Sequence, residues 1–385
     1  MDASSSDGAA RPTESGKKTT RLQAIDVMRG FVIALMAVDH SSGEFNAGRL
    51  VTDSTFLFKT GTPLPPGQFF TRWITHLCAP TFVFLAGTSL ALSIPRRIRA
   101  GESAFSIDRH LFTRGLVIAL FEIVPSYFWM DPGKYLLQVL YAIGTSFLFM
   151  IPLRRLPVPA LVGLGACILC FGEAVTSLFG WGPPDATPFL AALLLVPGMH
   201  GHFMIAYPTL YWLAIMLLGY GFGASIERGT TPERVQSTLA RAAVALLAIF
   251  LLVRGLNGYG NMHLYRTSGA LVEWLHVSKY PPSLTYAALE LGLGAVILWA
   301  VVGLVSRRPV GDKSPLLVLG RTPMFFYLLH IPLLTLAATA LGVAHRLGIG
   351  AAFGFAALAT IVLYPLCLYY GRLKAAHPRS LLDYV

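Results

Sequence analysis

The residues with the clearest capacity for chemistry lie in one apolar stretch. Residues 21–42 read RLQAIDVMRGFVIALMAVDHSS and carry Asp26, Arg29, Asp39 and His40 among helix formers and β-branched residues. A run of about twenty such residues spans a bilayer core. Ionisable groups at that depth are costly, so they face a bundle interior or a water-filled cavity. Arg29 and His40 are eleven positions apart. At about 100° per residue they return to nearly one helix face, and at ~1.5 Å rise they stand roughly 16 Å apart. One face then holds a fixed cation at one depth and, at another, an imidazole, the usual general base near neutral pH. Taken alone, the helix reads equally as a snorkelling arginine and an interfacial histidine.

Further polar groups sit in other apolar runs. Arg72 and His76 in FFTRWITHLCAPTFVFLAGTSLAL are four apart and share a helix face, level with His40 if the first two spans are neighbours. RGLNGYG (254–260) and KYPPSLTYAALELG (279–292) place Asn257, Tyr259, Lys279 and Tyr280 at outer helix ends, with Pro281 and Pro282 suited to open a helix. An interfacial aromatic and basic belt is the competing reading. GRTPMFFYLLHIPLL (320–334) holds Arg321 and His330 in an apolar run, with Tyr327 three positions before the histidine and on its face. Glu122 and Glu290 are two more carboxylates expected inside spans, where a structural pairing with arginine would satisfy them. No G-x-x-x-x-G-K, H-E-x-x-H or G-x-S-x-G occurs.

The elements that must carry these groups are membrane helices. The 385 residues are 55% hydrophobic and 13% charged, about half the charge of a soluble domain. The fold class expected is an all-α, polytopic membrane helix bundle. Ten spans fit the apolar lengths, at about 24–41, 70–94, 111–130, 135–153, 158–179, 204–226, 239–256, 282–304, 315–338 and 350–370. The run at 189–198 is too short to cross and reads as an interfacial or re-entrant piece. Residues 1–20, polar and without an apolar core, read as a disordered tail rather than a signal peptide, 21–372 as one transmembrane domain, and 373–385 as a second tail. With the N-terminus inside, inner segments hold twenty Lys and Arg against eight outside, which puts both termini in the cytoplasm. Most histidines then fall at or near the outer side; His110 and His377 do not. The net charge of +11 follows this topology, so nucleic acid is not an expected partner. The four cysteines lie in apolar runs, and Cys167 and Cys170 lack a second ligand pair, so core thiols are expected and no metal. No internal or inverted repeat is evident.

The segments IDVMRGFVIALMAVDH, RWITHLCAPTFVFLAGTS, YPTLYWLAIMLLGYGFG, RGLNGYG, KYPPSL and GRTPMFFYLLHIPLL together resemble the bacterial membrane proteins grouped with the catalytic domain of heparan-alpha-glucosaminide N-acetyltransferase, within the wider transmembrane acyltransferase superfamily. The resemblance implies a multi-pass enzyme of the bacterial cytoplasmic membrane. It would move an acetyl or other acyl group from cytoplasmic acyl-CoA to a sugar hydroxyl or amine on the outer side. An Arg and a His separated by ten residues mark the superfamily's first span, and Arg29 and His40 match that spacing. In the eukaryotic lysosomal enzyme the position of His40 looks like Asn and the catalytic His lies in the following luminal loop. This chain has no histidine between His40 and His76, so the base is open between those two.

The expected mechanism has acetyl-CoA phosphates met by Arg96, Arg97 and Arg99, since planar guanidinium groups suit phosphate. The pantetheine arm would pass Arg29. His40 would take the acceptor proton, with Asp39, which points away from it on the helix, binding acceptor. Arg72, His76, Asn257, Lys279, Tyr327 and His330 complete the candidate acceptor or oxyanion groups. Membrane lipid is an expected partner and a second copy of the chain an allowed one. The competing class is a transporter or flippase for a small polar solute, which needs no acyl-CoA; a structural subunit fits the density of buried ionisable groups least well.

Overall fold

The computed structural model describes residues 14–178 and 184–377, with 380 and 382, and side chains from residue 23 onward. Helix α1 (Glu14–Phe45) leads through a long loop to α2 (Pro66–Trp73), a 3₁₀ turn (Ile74–Leu77) and α3 (Cys78–Arg99). Next come α4 (Ala104–Phe121), α5 (Ile123–Trp129), strand β1 (Tyr135–Leu137), α6 (Val139–Leu153) and α7 (Val158–Ser177). The short apolar run expected not to cross forms α8 (Phe189–Leu194), followed by β2 (Gly198–His200) and β3 (Phe203–Ile205). The chain continues as α9 (Thr209–Glu227), α10 (Pro232–Leu256), α11 (Leu271–Leu275), α12 (Leu284–Arg307), α13 (Pro315–Arg321), α14 (Pro323–Ala340) and α15 (Ile349–Ala376).

The molecule is an all-α polytopic bundle. Among the described residues eight helical segments are long and apolar enough to cross a membrane. The two remaining expected spans coincide with α1, which mixes charges into its apolar run, and with the fifteen-residue α6. Of the expected N-terminal tail, residues 1–13 lie outside the described residues, and α1 already runs from Glu14. Helix α15 carries into the expected C-terminal tail as far as Ala376.

Helix α1 is the axis of the bundle, packed on α3, α12, α13, α14 and α15. Its approach to α13 is backbone on backbone. A Cβ on Gly320 would collide with the Asp26 carbonyl, and one on Gly30 with the Leu316 carbonyl. Small residues at such crossings are how membrane helices reach close contact without a hydrophobic drive between them. On the other flank, α10 turns Val244, Leu251, Leu252 and Leu256 outward, as a lipid-facing helix should.

Three expected spans are broken, each at a proline. Proline has no N–H to give the carbonyl four residues earlier. Pro80 therefore frees the carbonyl of His76; the helix tightens into the 3₁₀ turn there, and the Tyr286 hydroxyl donates to that carbonyl at 3.1 Å. Pro125 acts on the α4–α5 junction, where the backbone turns at Glu122. Pro323 forces Thr322 out of helical geometry (φ −126°, ψ 44°) and splits α13 from α14. The three strands form a small sheet in the order β1-β3-β2, β1 parallel and β2 antiparallel to β3.

Candidate active site where two cavities meet

The centre of the molecule holds two imidazoles in contact. His40 Nδ1, on α1, lies 2.6 Å from His330 Nε2, on α14. Both are buried, at 7% and 0% exposure. The far nitrogen of His330, Nδ1, stands 3.0 Å from the Phe326 carbonyl of its own helix. A carbonyl only accepts, so His330 Nδ1 carries the hydrogen. In the neutral ring Nε2 is then the acceptor, and His40 Nδ1 must be the donor. That chain of bonds leaves His40 Nε2 with a lone pair and without a partner among the described residues. Trp129, at the end of α5, closes edge-on over the His40 ring with centroids 4.6 Å apart.

Beside His40 stands a buried ionic network. Asp39 Oδ1 accepts from Arg72 Nη1 at 2.6 Å, Arg49 Nη2 at 3.0 Å and Thr75 Oγ1 at 3.1 Å. Arg72 also donates to Asp53 Oδ2 through Nε (2.8 Å) and Nη2 (2.5 Å). Both donors converge on that one oxygen, and each hydrogen bond is charge-assisted. Burial pushes the Asp53 carboxyl up, but Arg72 and His76 beside it more than reverse this and hold it well below the usual carboxylate range. Burial draws Arg49 down, against the pull of Asp39.

The loop after α10 delivers the next groups. Arg254, 1% exposed, sits in the last turn of α10 and ties that loop together. It donates to the carbonyls of Leu264 (2.7 Å), Trp274 (3.1 Å) and His276 (2.6 Å) and to Asn261 Oδ1 (2.7 Å). A cation among carbonyls at a helix C-terminus is favoured by the helix dipole as well. His276 Nε2 reaches the Thr52 carbonyl at 2.8 Å, and the Lys279 N–H donates to the Asp53 carbonyl at 2.7 Å. The loop after α1 and the loop after α10 are thus pinned together, which sets Lys279 and Tyr280 over the network.

Two cavities flank the histidine pair. The first, about 270 Å³, is walled by Asp39, His40, Arg49, Arg72, Lys279 and Tyr280, with Trp129 and Tyr327; Leu136, Met204 and Ala206 from around the small sheet cover it. The second, about 440 Å³, is walled by Asp26, Arg29, Ser89, Arg114, Arg321 and Lys374. Both have Phe82, Val139 and Tyr327 in their walls, so they adjoin at Tyr327. Arg29 is held by Asp26 at 2.8 Å and by Ser89 Oγ and the Leu85 carbonyl. Tyr327 donates its hydroxyl to Glu122 Oε1 at 3.2 Å; Glu122 Oε2 accepts the N–H groups of Leu140 (2.7 Å) and Tyr141 (3.1 Å) at the start of α6. These backbone N–H groups and the Tyr327 hydroxyl are its hydrogen-bond partners.

Of the residues singled out from the sequence, His40, Asp39, Arg72, Lys279 and Tyr327 line the first cavity, and Arg29 and Tyr327 the second. His330 stands directly behind His40. His76 lies outside both walls, its Nε2 3.3 Å from Asp53 Oδ1. Asn257 takes the left-handed position after α10 (φ 53°) and closes onto Arg266, whose N–H donates to Oδ1 at 2.7 Å. It caps a helix away from the cavities. Arg97 pairs with Glu102 and meets His110, Arg99 pairs with Glu227, and Arg96 is exposed; none of the three lines either of these two cavities. Arg49, Trp129, Arg114 and Lys374 in the cavity walls, and Asp53 in the ionic network, are positions that sequence reasoning did not single out. Arg49 and Asp53 sit in an irregular loop with no period to mark them. The tryptophan and the cations of the second cavity carried no signal beyond an aromatic or basic residue near a helix end.

No group of three or more His, Cys, Asp or Glu side chains among the described residues is arranged to hold a metal ion. In comparison with known proteins, the family model described as heparan-alpha-glucosaminide N-acetyltransferase, catalytic, matches residues 21–255. A search of curated proteins returns no match.

Proposed function

Since this chain belongs to the heparan-alpha-glucosaminide N-acetyltransferase catalytic family and is a membrane acetyltransferase, we propose that its two cavities receive donor and acceptor from opposite faces of the membrane. One observation carries the reading: the cavities adjoin at Tyr327, beside an imidazole with an unused lone pair.

The lower cavity takes the acyl donor, acetyl-CoA, from the cytoplasm. Its wall carries four cations, Arg29, Arg114, Arg321 and Lys374, with the carboxylate of Asp26, while Asp312 pairs with Arg321 from outside the wall; such a set of cations suits its phosphates. In this reading Arg96, Arg97 and Arg99 stay on the cytoplasmic surface as topology-setting charge rather than cavity wall. The donor supplies an activated acyl thioester. The residues of the chain supply the rest. The upper cavity orients a hydroxyl or amine acceptor, of the sugar type, against His40. His40 Nε2 takes the acceptor proton as the acceptor oxygen or nitrogen bonds to the acyl carbon, and gives it to the CoA sulfur as the C–S bond breaks and the thiol leaves; His330, through Nδ1 of His40, fixes the ring orientation and tautomer in which it does so. Arg49 and Arg72 are already locked by Asp39 and Asp53, so their positive field needs no reorganisation as negative charge develops nearby. Trp129 and the small sheet keep bulk water from the pair.

The direct test is binding of acetyl-CoA to purified protein, with thioester loss followed with and without mixed sugar acceptors. Saturable binding and a turnover lost in His40→Ala, with membrane insertion intact, is the expected outcome. Turnover retained in that variant removes His40 from the role of base. Absence of acetyl-CoA binding removes the donor assignment.

A further inference from the structure

A further cavity, about 410 Å³, lies on the opposite side of α1 and α3 from the second cavity and shares no wall residue with either of the two already described. Met28 on α1 and Phe84 and Leu85 on α3 face it, while Arg29, Ala86 and Ser89 of the same helices face the second cavity. It is a gap between two helix pairs. Helix α7 packs along α9, and α10 along α12, but α10 follows α9 in the chain without packing along it or along α7. Val162, Leu218 and Gly221 form one side of the gap, and Ala242, Ala245 and Gly294 the other. A Cβ on Gly294 would meet nothing closer than 3.7 Å. The floor at Met28, Leu85 and Leu298 is buried, whereas Ala245 at the lip is exposed, so the gap opens sideways, toward the bilayer.

No charged residue lines this gap, and its polar side chains are the hydroxyls of Thr81, Ser225 and Thr238; that of Ser225 is spent on the Phe222 carbonyl at 2.7 Å. Such a wall offers nothing to a phosphate or a sugar, and left empty it forfeits dispersion contacts. The lined part of α10 runs from Thr238 to Leu246, about 12 Å at ~1.5 Å per residue. That is most of the ~15 Å that one leaflet contributes to a ~30 Å hydrocarbon core. The end of the gap nearest the α9–α10 connection is basic. Arg234, Thr238, Arg241 and Ala245 recur four, three and four residues apart and so share one face of α10. Thr238 and Ala245 line the gap, and both arginines are exposed, as is Arg228 just past α9. The carboxylates of this rim are Glu227, paired with Arg99, and Glu233. Basic clusters at a helix end attract anionic lipid headgroups. We propose that the gap holds one acyl chain of an anionic phospholipid from the cytoplasmic leaflet, with the headgroup phosphate at Arg234 and Arg241. The lipid is the packing partner that α9 and α10 do not give each other, and it is neither donor nor acceptor.

The test uses the full-length protein, delipidated in a non-ionic detergent, with no acyl donor or acceptor present. Native mass spectrometry follows titration with dioleoyl phosphatidylglycerol or dioleoyl phosphatidylcholine. Phosphatidylglycerol should saturate one tight site per chain and bind at least tenfold tighter than phosphatidylcholine. Ala242→Phe, which places a ring in the gap, should weaken both lipids tenfold or more. Val244→Phe, on the outward side of the same helix, should weaken neither. Arg234→Gln with Arg241→Gln should bring phosphatidylglycerol to the level of phosphatidylcholine. Both arginines are exposed, so this pair carries the test should Ala242→Phe fail to fold. Graded uptake of either lipid without saturation, tight binding that survives Ala242→Phe in folded protein, a headgroup preference that survives loss of both arginines, or a second copy of the chain in place of lipid overturns the proposal. Because acyl transfer is not measured, failure here leaves the enzyme reading standing, and failure of turnover leaves this site standing.

Discussion

In the proposed mechanism His330 touches no acceptor and acts through Nδ1 of His40. Removing it in His330→Ala should lower the turnover rate by about 10²-fold, within the range of positioned acid–base catalysis, while leaving acceptor KM little changed. His330→Gln, which keeps an acceptor oxygen near His40, should recover part of the rate; a KM effect without a rate effect would show that His330 only fills space. Asp53 argues for stability rather than chemistry. Its folded pKa is depressed, so its contribution is complete above the unfolded value of about 3.9 and is lost only as pH falls through the lower folded value. Asp53→Asn should therefore destabilise the protein at pH 7, on the order of 3–5 kcal/mol for a broken buried pair, with the difference from wild type narrowing only below about pH 4. Melting followed from pH 7 down to pH 3 checks this, and a difference that vanishes already at pH 6 would contradict it. Single residues were legible to different degrees. An imidazole in an apolar span is conspicuous, so His40 and His330 stood out. Arg49 and Asp53 were silent because loop residues carry no period, and Asn257, conspicuous in RGLNGYG, proved to be a helix cap.

The elements owe their joints to prolines and their closeness to glycines. The break between α4 and α5 turns Glu122 toward the first turn of α6, where one carboxylate satisfies two orphan N–H groups and the Tyr327 hydroxyl. Glu122→Gln presents an N–H₂ where an acceptor is needed, so about 1–3 kcal/mol should be lost, read as a lower melting temperature. An unchanged melt would mean that water takes over those donors. Gly320→Ala should force α13 away from α1 and cost about 1–3 kcal/mol, as overpacking does, visible as reduced thermal stability and poorer monodispersity in detergent. The apolar lengths announced the helices well. They did not announce the three breaks, because a proline inside an apolar run reads as a tolerated kink until the neighbouring groups that take up the freed carbonyl are known. Tyr286, donor to His76, is 210 positions away along the chain.

For the whole molecule, two cavities adjoining at one tyrosine make a prediction about sides. With the four native cysteines replaced by serine, Val51→Cys at the upper cavity should react with a membrane-impermeant thiol reagent from outside intact cells. Ser89→Cys in the lower cavity should react only in inverted vesicles. Reversed accessibility would refute the orientation taken from the Lys and Arg distribution. The sequence by itself determined the membrane class, the helical architecture and the presence of imidazoles and cations inside spans. Those are set by apolar length, charge and hydration cost, which are properties of contiguous residues. Only the tertiary structure decided which of the polar groups meet. It joined His40 to His330 across 290 positions, brought a loop lysine over the Asp39 network, and left Arg96, Arg97, Arg99 and Asn257 outside the cavities. Spacing along one helix fixes a face and a depth, but the partner on the facing helix is chosen by packing between segments that no local pattern relates.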